Sequence, residues 1–437
     1  MIWHPMSILG GSEKEIHIQS AQDEFLYTNK GHKIIDAISS WWTCIHGHRN
    51  PRIMEAIRKQ TESLDHVIFA GFTHDPGEIL AEEILKTTNN EFEAVFFSDN
   101  GSNAIEIAVK LAVQFFKNKN HSKDINRKTW IRFTKSYHGD SIGAMSLGGE
   151  SVFTRIFRDL NFPSKEYKSP DCMNCPWGKS PSNCKVECLD EMEQDLKSQS
   201  HTIVGVVVEP LVSGANGMVF HEEKFLQRLR RLTQERDIVL ILDEVFTGML
   251  RTGEWYAYQK AKIQPDMICL AKGLTGGSLP LALTLIRKEI VEAFRSENLN
   301  HAFYHGHTMA GSALACSAGI ASLEILQETG KENISRLEAC FHSKKKVLEE
   351  RFPHKIKNLR FLGAIFAMEV VQDIGPDEYL NPIGRKMRSL AMEQGVLIRP
   401  LGNTVYLTPP YNIRDSSLDT IFAVLENILE KEFTQFP

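Results

Sequence analysis

The chain has no apolar run approaching the ~18 residues that span a bilayer, so an integral membrane protein is not expected. It also lacks an excess of charge of either sign. With 50 Lys and Arg against 55 Asp and Glu, its formal charge is only -5, which gives no sign of a nucleic-acid surface. Internal repeats and low-complexity blocks are absent, which argues against solenoids and arrays. The first residues, MIWHPMSILGGSEKE, carry neither a basic stretch nor a long apolar one. No signal peptide is therefore expected, and a cytoplasmic location with reduced thiols is. At 437 residues with 42% apolar content, the chain can bury a large core, and about two structural domains are expected.

Cysteine is sparse, and a chain of this length needs no disulfide staples. Four of the 8 Cys nevertheless cluster, as CMNCPWGKSPSNCKVEC: Cys172, Cys175, Cys184 and Cys188. Thiolates at such spacing can surround zinc or an iron–sulfur centre. The spacer is short for the common zinc patterns, and Pro176, Gly178 and Pro181 mark an irregular loop. A reduced, metal-free surface loop is the expectation.

What the chain does have is a series of short apolar, β-branched runs: EAVFFS (93–98), IVGVVVEP (203–210), IVLILDEV (238–245) and MICLAKG (267–273). Amphipathic segments separate them, the first carrying Ala104, Ala108, Leu111, Ala112 and Phe115 at helical spacing. Continuous apolar strands alternating with helices predict an α/β protein with a parallel or mixed sheet covered on both faces. Past residue 315 the pattern changes to two long helices, about 313–328 and 332–351, followed by LRFLGAIFAMEV and GVLIRPLGNTVYLTPP. The second of these reads as a hairpin turning at Gly402-Asn403. The predicted division is an N-terminal segment 1–60, a large domain 61–315 and a small α+β domain 316–437 completed by the N-terminal residues.

Ligands of open α/β sheets bind at the carboxyl ends of strands, so the run ends are read together. The first run leads into SDNGSN, where Gly101 and Ser102 at a helix N-terminus suit a phosphate or serve as a plain cap. IVLILDEV carries Asp243, and MICLAKG carries Lys272 followed by Gly273. A lysine with a lowered pKa can form a Schiff base, and a carboxylate can hold a protonated pyridine nitrogen. Tyr137, in YHGD, follows the strand-like TWIRFTKS and can lie over a flat ring or sit at a core edge. FYHGHTMAG places Gly306, His307 and Thr308 ahead of another helix, as a second phosphate-capable turn.

Taken in order, NGSNAIEIAVKLA, YHGD, VVEPLV, LDEVFTGMLRTG, CLAKGLTGG and HGHTMAGSALAC resemble the class III (ω-type) aminotransferases of PLP-dependent fold type I over essentially the whole chain. That resemblance implies pyridoxal 5'-phosphate (PLP) as cofactor and a large, mostly parallel mixed sheet domain beside a smaller α+β domain. It also implies a homodimer with shared active sites. Lys272 is implied to be the Schiff-base lysine and proton carrier, and Asp243 the partner of the pyridinium nitrogen. Gly101 and Ser102 would bind the phosphate, joined by His307 and Thr308 from the second subunit. Tyr137 would stack on the ring, Val245 would pack on its other face, and Glu209 would position its neighbours.

Within the family, AISSWWTCIHGH, HVIFAGFTH and IRPLGNTVYLTPPY resemble the branch that aminates 8-amino-7-oxononanoate in biotin biosynthesis. This implies Trp41 and Trp42 as walls of the substrate pocket, Trp41 the closer, with Arg399 on the substrate carboxylate. Arg251, Gly306, Tyr137 and Lys272 complete the implied substrate set. S-adenosyl-L-methionine is the implied amino donor. One departure bears on it: WHP is followed by Met6, where an aromatic, often Tyr, is usual, and lysine is the alternative donor. Another ω-aminotransferase, acting on 4-aminobutyrate, ornithine or a diamine, is the alternative activity. A catalytically silent PLP-fold or metal-binding protein is the non-enzymatic one. His46-Gly47-His48 is read as part of a structural turn, not a metal pair, so no metal site is expected.

Overall fold

Strands made of continuous apolar residues need cover on both faces, and the central sheet obtains it from two separate cores. A computed structural model describes residues 2–10, 15–119, 127–152, 154–371 and 381–432. The N-terminal strands are β1 (Ile18–Gln22), β2 (Phe25–Thr28) and β3 (Lys33–Asp36). The central sheet begins with β4 (Ala94–Ser98), β5 (Thr129–Phe133), β6 (Ser164–Tyr167) and β7 (Ile203–Val208). A short ribbon of β8 (Val212–Ser213) and β9 (Val219–Phe220) follows. The sheet then continues with β10 (Val239–Asp243), β11 (Met267–Leu270) and β12 (Ala282–Ile286). Its order is β4-β12-β11-β10-β7-β5-β6, and β12 alone runs antiparallel to its neighbours.

Alternation along β10 and β11 separates the two cores. Val239, Ile241, Met267 and Cys269 pack on one face with Ile105, Ala108 and Ala112 of the helix Gly101–Asn118. Leu240, Leu242, Ile268 and Leu270 pack on the other, where Phe225, Leu226 and Leu229 of the helix Glu223–Gln234 lie. Period-2 strands thus meet helices whose apolar residues recur every three to four positions.

The expected helices near 313–328 and 332–351 form as Ala313–Ile325 and Lys331–Arg351, joined through a wider turn at Leu326–Gly330. Beyond them β13 (Ile356–Leu362), β14 (Ile365–Val370) and β16 (Thr404–Leu407) make an antiparallel sheet. β15 (Val396–Leu397) joins the N-terminal sheet instead, parallel to β3. The hairpin read at Gly402-Asn403 is therefore half right. Leu401 and Thr404 exchange backbone hydrogen bonds of 2.9 and 3.0 Å, and Gly402 takes the positive φ of +61° the tight turn needs. Its two arms then part into different sheets, because Val396 finds its partner at Ile35. No helix among the described residues is long and apolar enough to cross a membrane.

Candidate active site

The parallel strands deliver their carboxyl ends to one edge of the sheet, and there the chemistry-bearing residues meet. β10 ends in Asp243, and its register pairs Asp243 with Cys269 of β11, three residues before Lys272. β7 runs into Glu209, β5 leads to Tyr137-His138-Gly139, and β4 leads to Asn100-Gly101-Ser102. β12 enters from the same edge, so Leu281 closes one side. Together they enclose a cavity of about 570 Å³ bordered by Gly101, Ser102, Tyr137, Glu209, Asp243, Val245 and Lys272.

Asp243 is buried, with one carboxylate oxygen accepting from the Val245 N–H at 3.1 Å. The other lies 2.8 Å from His138 Nδ1. Glu209 is also buried and accepts from the Tyr137 N–H at 3.1 Å and the Gly214 N–H at 2.8 Å. Burial pushes its carboxyl up to about 7, with the neighbouring Asp243 charge adding to the rise. Lys272 holds a left-handed φ of +45°. Burial brings its amine down to about 8, and the Arg251 guanidinium acts in the same direction against Asp243 and Glu209. An amine so poised is a workable base near neutral pH.

The phosphate-capable turn is built by capping. Asn100 accepts from the Asn103 N–H at 3.0 Å, while the first-turn N–H groups of Gly101 and Ser102 have no intrahelical acceptor. Close packing demands glycine here. A Cβ on Gly139, at φ +124°, would fall 1.9 Å from Ser102 Oγ, and one on Gly101 would fall 2.9 Å from Val245 Cγ1.

The tryptophan pair divides: Trp42 borders this chain's own cavity and Trp41 does not. Trp42 is 3% exposed and borders the cavity. Its ring lies 4.7 Å from Lys272 Nζ and 4.5 Å from the Phe246 ring. Trp41 is 38% exposed, outside the lining, with the Arg399 guanidinium 4.4 Å over its ring. The cause is the backbone: Ser39, Ser40, Trp41 and Trp42 all have positive φ, from 43° to 77°. Left-handed turns of non-glycine residues cost roughly 1–2 kcal/mol per residue, and this one turns Trp42 inward.

Arg251, expected among the substrate contacts, does not reach the cavity either. It is 1% exposed and donates to the carbonyls of Phe246 (2.8 Å) and Trp42 (2.5 Å). It supports the wall from behind. Arg399 stands outside the cavity lining, part-buried, with Nε unpartnered. Gly306 and Thr308 are exposed and His307 is part-buried, all away from this chain's own cavity. Met6 is 47% exposed and does not border it.

His46 and His48 point to separate partners, Ser322 Oγ at 2.8 Å and Asp36 Oδ2 at 2.9 Å. Cys172, Cys175, Cys184 and Cys188 are unbridged and part-buried. Among the described residues, no group of three or more His, Cys, Asp or Glu is arranged to hold a metal ion. Three residues at the site were not singled out from the sequence. His138 stood next to Tyr137 in YHGD, Phe246 stood in LDEVFTG, and Asn100 preceded the Gly-Ser turn. Each was visible as a neighbour of a chosen residue, yet only the folded loops beyond the strand ends show which neighbour faces inward.

Comparison with known proteins agrees with this geometry. The chain matches Aminotransferase class-III over residues 10–429. It is 40% identical to the adenosylmethionine-8-amino-7-oxononanoate aminotransferase of Synechococcus elongatus, across 98% of both chains. The crystal structure of the enzyme of that name from Methanocaldococcus jannaschii superposes with a TM-score of 0.88 at 31% identity, over 98% of this chain and 97% of that one. A PLP-bound amine transaminase from an uncultivated Pseudomonas species gives a TM-score of 0.92 at 27% identity, over 98% of both. On this match and on the relatives' identity and coverage, the chain belongs to the class-III aminotransferases.

Proposed function

We propose that this protein aminates 8-amino-7-oxononanoate to 7,8-diaminononanoate in biotin biosynthesis, with S-adenosyl-L-methionine as amino donor. The full-length 40% identity to an enzyme named for that reaction carries the reading. The cavity supplies what such chemistry needs, and its residues fit PLP. Asp243 offers a buried carboxylate to a ring nitrogen, Gly101 and Ser102 offer N–H and hydroxyl donors to a phosphate, and Lys272 offers an amine. Tyr137 and Val245 border the same space from the segments that follow two different strands. Bound there, PLP supplies an electron-accepting ring that stabilises negative charge at the substrate carbon.

The chain's own residues do the rest. Lys272 Nζ would take the proton from the donor's carbon and pass it to the cofactor in the first half of a ping-pong cycle. In the second half it would carry a proton the other way, onto the carbon of the oxo substrate. Asp243 holds the proton on the ring nitrogen, and His138 Nδ1 fixes the carboxylate. Glu209 fixes the Tyr137 backbone. Trp42 and Phe246 close the wall and exclude water. His307 and Thr308, away from their own chain's cavity, serve the phosphate site of a second copy, so the active form is a homodimer. Lysine is the alternative donor, since Met6 brings no hydroxyl to the place usually held by Tyr.

The deciding experiment mixes the PLP-loaded protein separately with S-adenosylmethionine, lysine, glutamate and 4-aminobutyrate and follows conversion to the pyridoxamine spectrum. Conversion by S-adenosylmethionine, then 7,8-diaminononanoate on adding the oxo substrate, is expected. Conversion by glutamate or 4-aminobutyrate alone overturns the assignment.

Two substitutions test the parts. Arg399→Ala removes the guanidinium proposed for the substrate carboxylate. Charge-assisted hydrogen bonds contribute about 1.5–3 kcal/mol, so KM for 8-amino-7-oxononanoate should rise about 10- to 100-fold. The pyridoxamine spectrum should still form with the donor. Gly139→Ala sets a methyl group against Ser102 at a φ that alanine resists. Strain of about 1–3 kcal/mol should weaken PLP retention about 5- to 100-fold, read by dialysis and visible absorbance.

A further inference from the structure

We propose that the Asp36–His48 pair is a positioning device for the substrate pocket: it holds Ser39–Trp42 in its left-handed turn and so sets where both tryptophan rings stand. The functional reading above supplies only the substrate used to test it.

Four consecutive residues, none of them glycine, take φ values of 48°, 43°, 68° and 77°. Such a run persists only where its surroundings over-determine it. Asp36, wholly buried, provides most of the hold. Its Oδ1 accepts from the Ile38 N–H at 3.2 Å, and its Oδ2 accepts from both the N–H and the hydroxyl of Ser40 at 2.7 Å. Two further anchors act on the ends: Ser39 Oγ donates to the Thr408 carbonyl at 2.7 Å, and Arg251 donates to the Trp42 carbonyl.

A carboxylate buried this fully needs a compensating charge. His48 provides it, with Nε2 2.9 Å from the oxygen that Ser40 also uses. The ring is fixed by its backbone, which exchanges hydrogen bonds with Asp23 at 2.6 and 3.1 Å. Asp36 and the Cys44 thiol are the titratable groups that face it. Burial disfavours its charge, but Asp36 and Cys44 more than offset this, and the imidazole is raised to about 10. His48 thus stays protonated throughout the neutral range.

Neither residue borders the active-site cavity, so neither touches a reacting group. Their effect passes through the turn. Trp42 stands against Lys272 at the reacting end, and Trp41 stands under Arg399 at the end proposed for the carboxylate. One turn therefore sets both the cavity wall beside Lys272 and, just outside the lining, the ring beneath Arg399.

The test compares PLP-loaded wild type, His48→Ala and His48→Gln, with Asp36→Asn alongside. His48→Ala should keep the visible PLP band but change the near-ultraviolet circular dichroism of the tryptophans. Its KM for 8-amino-7-oxononanoate should rise about tenfold, with kcat within about threefold, as expected for misplaced binding walls rather than lost chemistry. His48→Gln can still donate to Asp36 and should recover most of both signals. A folded His48→Ala with lowered thermal stability but unchanged KM and near-ultraviolet spectrum overturns the proposal, since that is what a structural pair alone would give. If Asp36→Asn does not fold, the His48 variants decide. A wild type unable to aminate the oxo substrate defeats the functional reading instead, and the spectra of His48→Ala and His48→Gln still decide the positioning role.

Discussion

Lys272→Ala should lower transamination by about 10²–10⁴-fold while leaving the chain folded. A positioned general acid–base group contributes about 10²–10⁴-fold to a proton transfer. Here the same amine is proposed to act in both half-reactions, so its loss penalises each. The geometry leaves no obvious substitute. His138 is committed to Asp243 at 2.8 Å, and Glu209 is committed to two backbone N–H groups. Stability should hold or rise slightly, because the amine is desolvated without forming an ion pair and alanine leaves no buried charge behind. Single-turnover absorbance with the donor is the measurement, together with a thermal melt. Partial recovery on adding methylamine would place the defect in the proton transfer. A rate within tenfold of wild type would remove Lys272 from its role.

Much of this site can be read from strand ends alone. Asp243 and Lys272 each follow a continuous apolar run, and in a parallel sheet such runs must finish at a common edge. Gly101-Ser102 precedes a helix with clear apolar spacing, so its place at that edge follows from the same rule. Harder to read is anything that depends on which way a short irregular segment turns. AISSWWT gives no sign that four non-glycine residues adopt positive φ, because the residues enforcing it include Thr408 and Arg251, far along the chain. That turn is why only Trp42 of the pair borders this chain's cavity. The surroundings of Arg251 were hidden for a related reason. Arginine usually signals a solvated or substrate-facing charge, whereas this one is enclosed by Phe246, Tyr411 and the Trp42 carbonyl. The hairpin at Gly402-Asn403 shows the same limit at the level of sheets. Turn chemistry fixes the two central residues, but the partner of each arm is a long-range matter.

Asp243→Asn separates charge from shape at the centre of the site, and it should reduce kcat about 10³-fold. The amide can still accept from the Val245 N–H, so the local backbone should persist. What disappears is a negative charge facing a positively charged ring nitrogen. Two unit charges about 4 Å apart attract by roughly 4 kcal/mol at the effective dielectric found near protein surfaces, and each 1.36 kcal/mol of barrier is about tenfold in rate. A second consequence has a definite sign. Asp243 raises the Lys272 amine against the burial that brings it down to about 8. Without that carboxylate the amine should titrate below about 8. It must be unprotonated to accept the substrate proton, so the acid limb of the kcat–pH profile should move to lower pH. Lost ring activation alone would lower the whole profile and leave the limb in place. A single set of half-reaction rates between pH 5 and 9 therefore reads two effects of one carboxylate. A fall in kcat with an unmoved limb would mean that Asp243 acts on the ring nitrogen but not on Lys272. Unchanged kcat would remove it from the chemistry altogether.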